Sequence, residues 1–218
     1  MKIDGIIFDL DGTLIDSMPI WQDLSYDYLV ARGVTPKPDL RDMVSTMYLD
    51  ESSRYLVEEY GLKESPDEVT AYINEKADDF YFNSVPPKED VKRFLEGASR
   101  RGVRMCVATA TERRLCLPAL GHNGMLDYFD RIFTCSEIGS SKVSGEIFEA
   151  ALRYLGTKRE RTLVIEDSLH AVETAARHGF PVAAIFDEAQ AKNAGDIKKL
   201  SVCYFREYAE ISDFFTFG

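Results

Sequence analysis

The sequence predicts an α/β fold, a parallel sheet with helices on both faces, interrupted near its start by an inserted helical domain. Three observations carry this. Short apolar runs alternate with amphipathic stretches along most of the chain, residues 17 to 84 break that rhythm, and several of the runs end on acids or hydroxyls. Strand-like runs lie near residues 5–9, 103–109, 131–135, 162–167, 181–186 and 202–205. Helical patterns fall between them, among them Asp90–Arg101, Ile147–Leu155 and Ser168–His178. Alternation of this kind implies a Rossmann-like core built from residues 1–16 and 85–218. The stretch 17–84 has helical segments and no convincing strand. It includes Ser65-Pro66-Asp67-Glu68, a capping box with proline at the first helical position. It reads as an inserted all-helical cap that returns to the core through Val85-Pro86-Pro87. Pro118 lies inside an apparent helix after the second strand, so that helix is expected to kink or end there.

The first strand, Ile6-Ile7-Phe8, ends at Asp9, and Asp11 follows on a turn made with Gly12-Thr13. Buried carboxylates are costly unless paired or bound to metal, so two acids at a strand tip serve a site better than a core. Ligands of open α/β sheets sit in the crevice outside the carboxyl ends of the strands. A carboxylate can attack phosphorus and form an aspartyl-phosphate. Asp9, on the rigid strand tip, is the better-placed nucleophile. Asp11 can protonate the leaving oxygen and later take a proton from water. Two anions facing a phosphate require a divalent cation, and Mg²⁺ suits oxygen ligands and phosphate together. A lone Asp-x-Asp is more often a solvated strand end, so the reading depends on what else the chain supplies.

The second strand, Val103 to Ala108, ends at Thr109-Ala110-Thr111, offering a hydroxyl and neighbouring backbone N–H groups to a phosphate oxygen. The third, Thr162 to Ile165, delivers Glu166 and Asp167 to another strand tip. Lys142, in the small-residue loop Gly139 to Gly145, provides a point charge for the transferring phosphoryl group.

Asp9-Leu10-Asp11-Gly12-Thr13, Thr109, Lys142 and Glu166-Asp167, in this order, resemble the four motifs of the haloacid dehalogenase superfamily. The nearest likeness is to its β-phosphoglucomutase-like and phosphoglycolate-phosphatase-like members, over essentially the whole chain. The resemblance implies Asp9 as nucleophile and metal ligand, and Asp11 as acid/base and metal ligand through its carbonyl. It implies Asp167 as a third ligand, with Glu166 reaching the metal directly or through water. Thr109, Ala110, Thr111 and Lys142 would bind substrate phosphate. Arg113 would join them, its alternative being a solvated charge in the first helical turn. The resemblance also implies that 17–84 is the family's first type of cap. Two departures stand out. The family often has Lys-Pro-x-Pro where this chain has Lys142-Val143-Ser144-Gly145, which predicts a less rigid loop. It usually has glycine where this chain has Ala171.

The expected activity is Mg²⁺-dependent hydrolysis of a small phosphate monoester, such as a sugar phosphate, a phosphoglycolate-like compound or a nucleotide monophosphate. The alternative is a phosphomutase of the β-phosphoglucomutase type. That branch has a histidine near the start of the cap, where this chain has Trp21, which favours water as acceptor. Dehalogenase chemistry, which needs neither metal nor Asp11, fits less well, as does a non-catalytic phospholigand-binding protein. The chain has 218 residues, 45% hydrophobic, with a net charge of −11. That charge argues against nucleic acid, and the apolar runs are too short to span a membrane. Cys106, Cys116, Cys135 and Cys203 are scattered without metal spacing, as expected of free thiols in a reducing cytoplasm. The first strand begins directly after Met1, leaving no room for a signal peptide, and a cytoplasmic monomer is expected. Trp21 and the Phe-rich tail from Tyr208 to Phe217 are expected to pack internally. Arg41, Arg54 and His170 read as surface groups, and the three histidines, His122, His170 and His178, show no ligand spacing.

Overall fold

A computed structural model describes residues 1–44, 47, 49–211 and 216–217; of Trp21, Gln22, Asp42, Thr216 and Phe217 it describes the backbone alone. The packing expected of the Trp21 ring and of Phe214, Phe215 and Phe217 lies outside the described side chains. The chain divides into two compact units, Met1–Asp16 with Val85–Gly218, and Ser17–Ser84.

The first unit is built on six parallel strands: β1 (Gly5–Phe8), β2 (Arg104–Thr109), β3 (Arg131–Thr134), β4 (Thr162–Glu166), β5 (Val182–Ile185) and β6 (Cys203–Phe205), in the order β3-β2-β1-β4-β5-β6. A separate parallel pair joins Lys2–Ile3 to Thr216–Phe217. Strands β1, β4 and β5 are buried throughout. That explains their continuous apolar sequence, since a parallel sheet covered on both faces has no solvent side. Phe8 pairs with Val107 on one side and Ile165 on the other, so the tips of β1, β2 and β4 lie close to one level. The chain builds outward to one edge through β2 and β3 and then to the other through β4 to β6. β1 and β4 therefore flank the switch point where a ligand crevice opens.

Among its described residues the second unit has four helices: α1 (Met18–Val30), α2 (Leu40–Val44), α3 (Leu49–Tyr60) and α4 (Pro66–Asn83). Leu24, Tyr28, Leu29, Leu40, Val44, Leu56, Val69, Ile73 and Ala77 form its own core. The α4 start is as the sequence predicts. Ser65 Oγ accepts from the Glu68 N–H at 3.3 Å, and Glu68 Oε2 accepts from the Ser65 N–H at 2.8 Å.

The sheet is covered by α5 (Val91–Arg100), α6 (Arg113–His122), α7 (Glu146–Leu155) and α8 (Leu169–Arg177), among others. Helix α5 buries Val91, Phe94, Leu95 and Ala98, one face at helical spacing. Helix α7 does the same with Ile147, Phe148, Ala151 and Leu155, packed with Ala171, Val172 and Ala175 of α8. Helix α6 does not end at Pro118 but runs on to His122. The missing N–H would have bonded the carbonyl of Arg114, an exposed residue in the first turn, where water can replace it. Buried Leu115, Cys116, Ala119 and Leu120 hold the helix to the core on both sides of the proline.

Candidate active site

Strand β1 delivers Asp9 to the tip of the sheet, where its N–H donates to the Ile165 carbonyl of β4 at 2.9 Å. The chain then turns sharply. The Leu10 carbonyl accepts from the N–H groups of Leu14 (2.8 Å) and Ile15 (3.0 Å), and Gly12 sits at φ +73°, a conformation that favours glycine. Buried Leu10, Leu14 and Ile15 anchor this turn, leaving Asp11 half-buried. On β4, Glu166 is fully buried and Asp167 nearly so. Glu166 Oε2 accepts from the N–H groups of Asp167 (2.8 Å) and Ser168 (2.9 Å) and from the Ser168 hydroxyl (3.0 Å).

Lys142 comes from a short 3₁₀ turn, Lys142–Ser144, closed by Gly145 at φ +79°. Its Nζ donates to Glu166 Oε1 at 2.5 Å and to Asp9 Oδ1, and the side chain is only 6% exposed. The turn lacks the family's prolines and is held by hydrogen bonds instead. The Val143 carbonyl accepts from Arg177 (3.0 Å) and Thr174 (3.4 Å), and the Ser140 and Ser144 hydroxyls pair at 2.6 Å.

Asp9, Glu166 and Asp167 each offer one carboxylate oxygen within 4.8 Å of the others. Burial pushes the Asp9 carboxyl up to about 7; Glu166 and Asp11 add to the rise, and Lys142 opposes it. Asp167 is also raised well above the usual range, by burial first and then by Glu166, Asp9 and Asp187. Burial acts against the charged form of Glu166 too, but the Lys142 ammonium and the Ser168 donors outweigh it and hold this carboxyl low. Lys142 is likewise kept protonated by Asp9 and Glu166 despite its burial. One ammonium thus faces three buried carboxyl groups, and two of them are pushed toward the neutral form for want of a second positive charge. An all-oxygen donor set short of positive charge fits a hard divalent cation, and these three residues could hold one.

Thr109 closes β2 as a buried residue, and its Oγ1 accepts from the Thr111 N–H at 3.0 Å. The hydroxyl proton of Thr109 is therefore directed elsewhere. Ala110 is exposed. Thr111 Oγ1 donates to Asp11 Oδ2. Arg113 is not among these groups. Its guanidinium is clamped by Glu137 at 2.5 and 2.7 Å and donates to the Ile132 carbonyl at 2.7 Å.

Five participants escaped sequence reasoning. Thr13 lies in the first motif, and its hydroxyl reaches Asp167 Oδ1 at 3.5 Å. Buried Tyr208 donates from its hydroxyl to the Thr13 carbonyl at 3.1 Å. Lys88 bridges Asp187 at 2.7 Å and Asp16 at 2.9 Å. No local pattern marks Tyr208, Lys88 or Asp187; the lysine and the two acids it joins are distant in sequence. Among the described groups, His170 is exposed, His122 bonds the Val85 carbonyl at 3.0 Å, and His178 faces Glu149 at 3.2 Å. All four cysteines are free thiols, and Arg41 pairs with Asp23 at 2.8 Å. No described helix is long and apolar enough to cross a membrane.

Comparison with known proteins shows what the chain is similar to. The sequence model of the haloacid dehalogenase-like hydrolases matches residues 6–185. A phosphoglycolate phosphatase of Rhodobacter capsulatus is 31% identical, covering 88% of each chain. A phosphorylated carbohydrates phosphatase of Thermotoga maritima is 24% identical, covering 81% of this chain and 82% of that protein. Among solved structures, one provisionally described as a β-phosphoglucomutase from Thermotoga maritima superimposes with a TM-score of 0.84. It is 22% identical and covers 97% of this chain and 98% of that one.

Proposed function

The chain belongs to the haloacid dehalogenase-like hydrolases and is an enzyme of their phosphatase kind, and from that premise we propose that it hydrolyses a small phosphate monoester through an aspartyl-phosphate on Asp9. The observation that carries the reading is the buried cluster of Asp9, Glu166 and Asp167 around the Lys142 ammonium. Structural packing alone gives no reason to bury three carboxylates at one sheet tip.

In this reading Asp9, Glu166 and Asp167 hold Mg²⁺, with the Asp11 carbonyl as a further ligand. Mg²⁺ would supply the positive charge that lets an anionic phosphate approach these carboxylates. Lys142 and the Thr109 hydroxyl, with the N–H of Ala110, grip the phosphoryl oxygens; the Thr111 N–H is already given to Thr109 Oγ1. Asp9, fixed by the sheet, attacks phosphorus in line with the leaving oxygen. Asp11 protonates that oxygen and later takes a proton from the water that releases phosphate. Arg113 could serve the substrate only by leaving Glu137. The helical unit Ser17–Ser84 is proposed as the cap that selects the organic part of the substrate. The names of the two phosphatase relatives support a sugar phosphate or phosphoglycolate-like ester.

The test is phosphate release across a panel of small phosphomonoesters, including β-glucose-1-phosphate, with and without Mg²⁺. Metal-dependent release that Asp9→Asn abolishes, with the circular dichroism of the fold preserved, is the expected result. Substantial turnover by Asp9→Asn would remove its nucleophile role. Isomerised sugar phosphate without net release would replace hydrolysis by phosphoryl transfer to a sugar.

A further inference from the structure

Thr111 Oγ1 donates to Asp11 Oδ2 across 100 residues of sequence, and the Thr111 N–H is itself pinned to Thr109 Oγ1 at 3.0 Å. We propose that Thr111 is a positioning residue for Asp11, acting through this hydroxyl rather than by touching substrate; the inference rests on the phosphatase reading above.

Asp11 needs such a partner because of where it sits. Its neighbour Gly12 is at φ +73°, and the turn is held through backbone bonds such as Gly12 N–H to the Ile15 carbonyl at 2.9 Å. Those bonds fix the main chain and leave the two side-chain torsions of a half-buried aspartate to be set by other contacts. A threonine suits the task. Its β-branch restricts χ1 to few rotamers, and its backbone is tied to the end of β2, in the rigid sheet. Thr111 therefore refers the Asp11 carboxyl to the strand that carries the phosphate-gripping Thr109. Both sides of the phosphoryl group are then set from one three-residue segment, Thr109–Thr111.

The bond also sorts the two oxygens of Asp11. With Oδ2 accepting from Thr111, proton transfer is assigned to Oδ1. In the first step the bond from Asp9 to phosphorus forms as the bond to the leaving oxygen breaks. The leaving oxygen takes the Oδ1 proton and departs as an alcohol, and Asp11 becomes a carboxylate. In the second, a water oxygen bonds to phosphorus and gives one proton to Oδ1. The Asp9–phosphorus bond breaks, and inorganic phosphate leaves. A carboxyl free to rotate would present the wrong oxygen, or none, in part of the encounters.

A role through Asp11 predicts a dependence on the leaving group that substrate binding does not. Phenyl phosphate needs its leaving oxygen protonated far more than p-nitrophenyl phosphate does, so kcat/KM for the two esters separates the cases. Thr111→Val should lower kcat/KM about tenfold for phenyl phosphate and less than about threefold for p-nitrophenyl phosphate. Thr111→Ser should restore both, and Asp11→Asn should show the same pattern more strongly. Equal losses on the two esters, or none, in Thr111→Val would overturn the proposal while Asp11→Asn kept its selectivity. If Asp11→Asn itself lost leaving-group selectivity, the acid/base role of Asp11 would fall, and the proposal with it; if the wild type released no phosphate from either ester or from the panel above, the phosphatase reading would fall as well.

Discussion

Asp9 binds a proton in the folded state over a range where the unfolded chain does not. Its carboxyl is raised to about 7, by burial first and then by Glu166 and Asp11, against the pull of Lys142. The stability linked to that proton is fully present below the ordinary aspartate range, near about 4. It is lost as pH rises through about 7. With a chelator present, the melting temperature of the wild type should therefore fall relative to Asp9→Asn as pH rises from about 4 to 8. A difference between the two proteins that stays flat with pH would show that Asp9 is not protonated in the free fold. Added Mg²⁺ should reverse the trend above pH 7, because a ligand that binds only the native state stabilises it by mass action.

The Lys142 turn shows how an element keeps its shape when the sequence omits the usual stiffener. Prolines would have fixed φ directly; here the Val143 carbonyl is held from α8 and two serine hydroxyls close the loop. Gly145 is the position least open to change. It lies at φ +79°, and a Cβ there would come within 2.3 Å of the His178 ring. That ring is braced by Glu149, which Arg159 also grips at 2.5 and 2.9 Å. Gly145→Ala should cost about 1–3 kcal/mol in urea unfolding. It should also lower turnover, by moving Lys142 from Asp9. An unfolding curve unchanged from the wild type would mean that the turn adapts freely.

On the scale of the molecule, each unit has its own apolar core, and the chain passes between units at Asp16 and Val85. On the sheet-bearing unit the two crossings are tied together. The Asp16 N–H donates to the Pro86 carbonyl at 2.9 Å, Ile15 bridges Pro87, and Lys88 joins Asp16 to Asp187. Lys88 is raised above its ordinary range because the bonds and charges of Asp187 and Asp16 overcome its burial. Lys88→Met would leave nearly buried Asp187 without its ammonium, and unfolding should become easier by about 3 kcal/mol. A loss below about 0.5 kcal/mol would show that the pair contributes no more than a surface bridge.

Much of this molecule could be read from local pattern. Buried parallel strands leave long apolar runs, so β1, β2 and β4 were legible, as were the chemically costly residues at their tips. The α4 start was legible because a capping box is satisfied within four residues. Pro118 misled because propensity is local, whereas the burial that carries α6 through it is not. The partner of Arg113 was not legible either: nothing near its position after β2 marks Glu137, 24 residues on, which holds its guanidinium. The sequence by itself determined the fold class and the residue types gathered at the sheet tips, because both follow from periodicity and from the cost of burying charge. Only the tertiary structure decided the pairings: Lys142 with Asp9 and Glu166, Thr111 with Asp11, and Lys88 with Asp16 and Asp187. Each joins groups remote along the chain, and parallel strands with long crossovers bring such groups together without leaving any mark at short range.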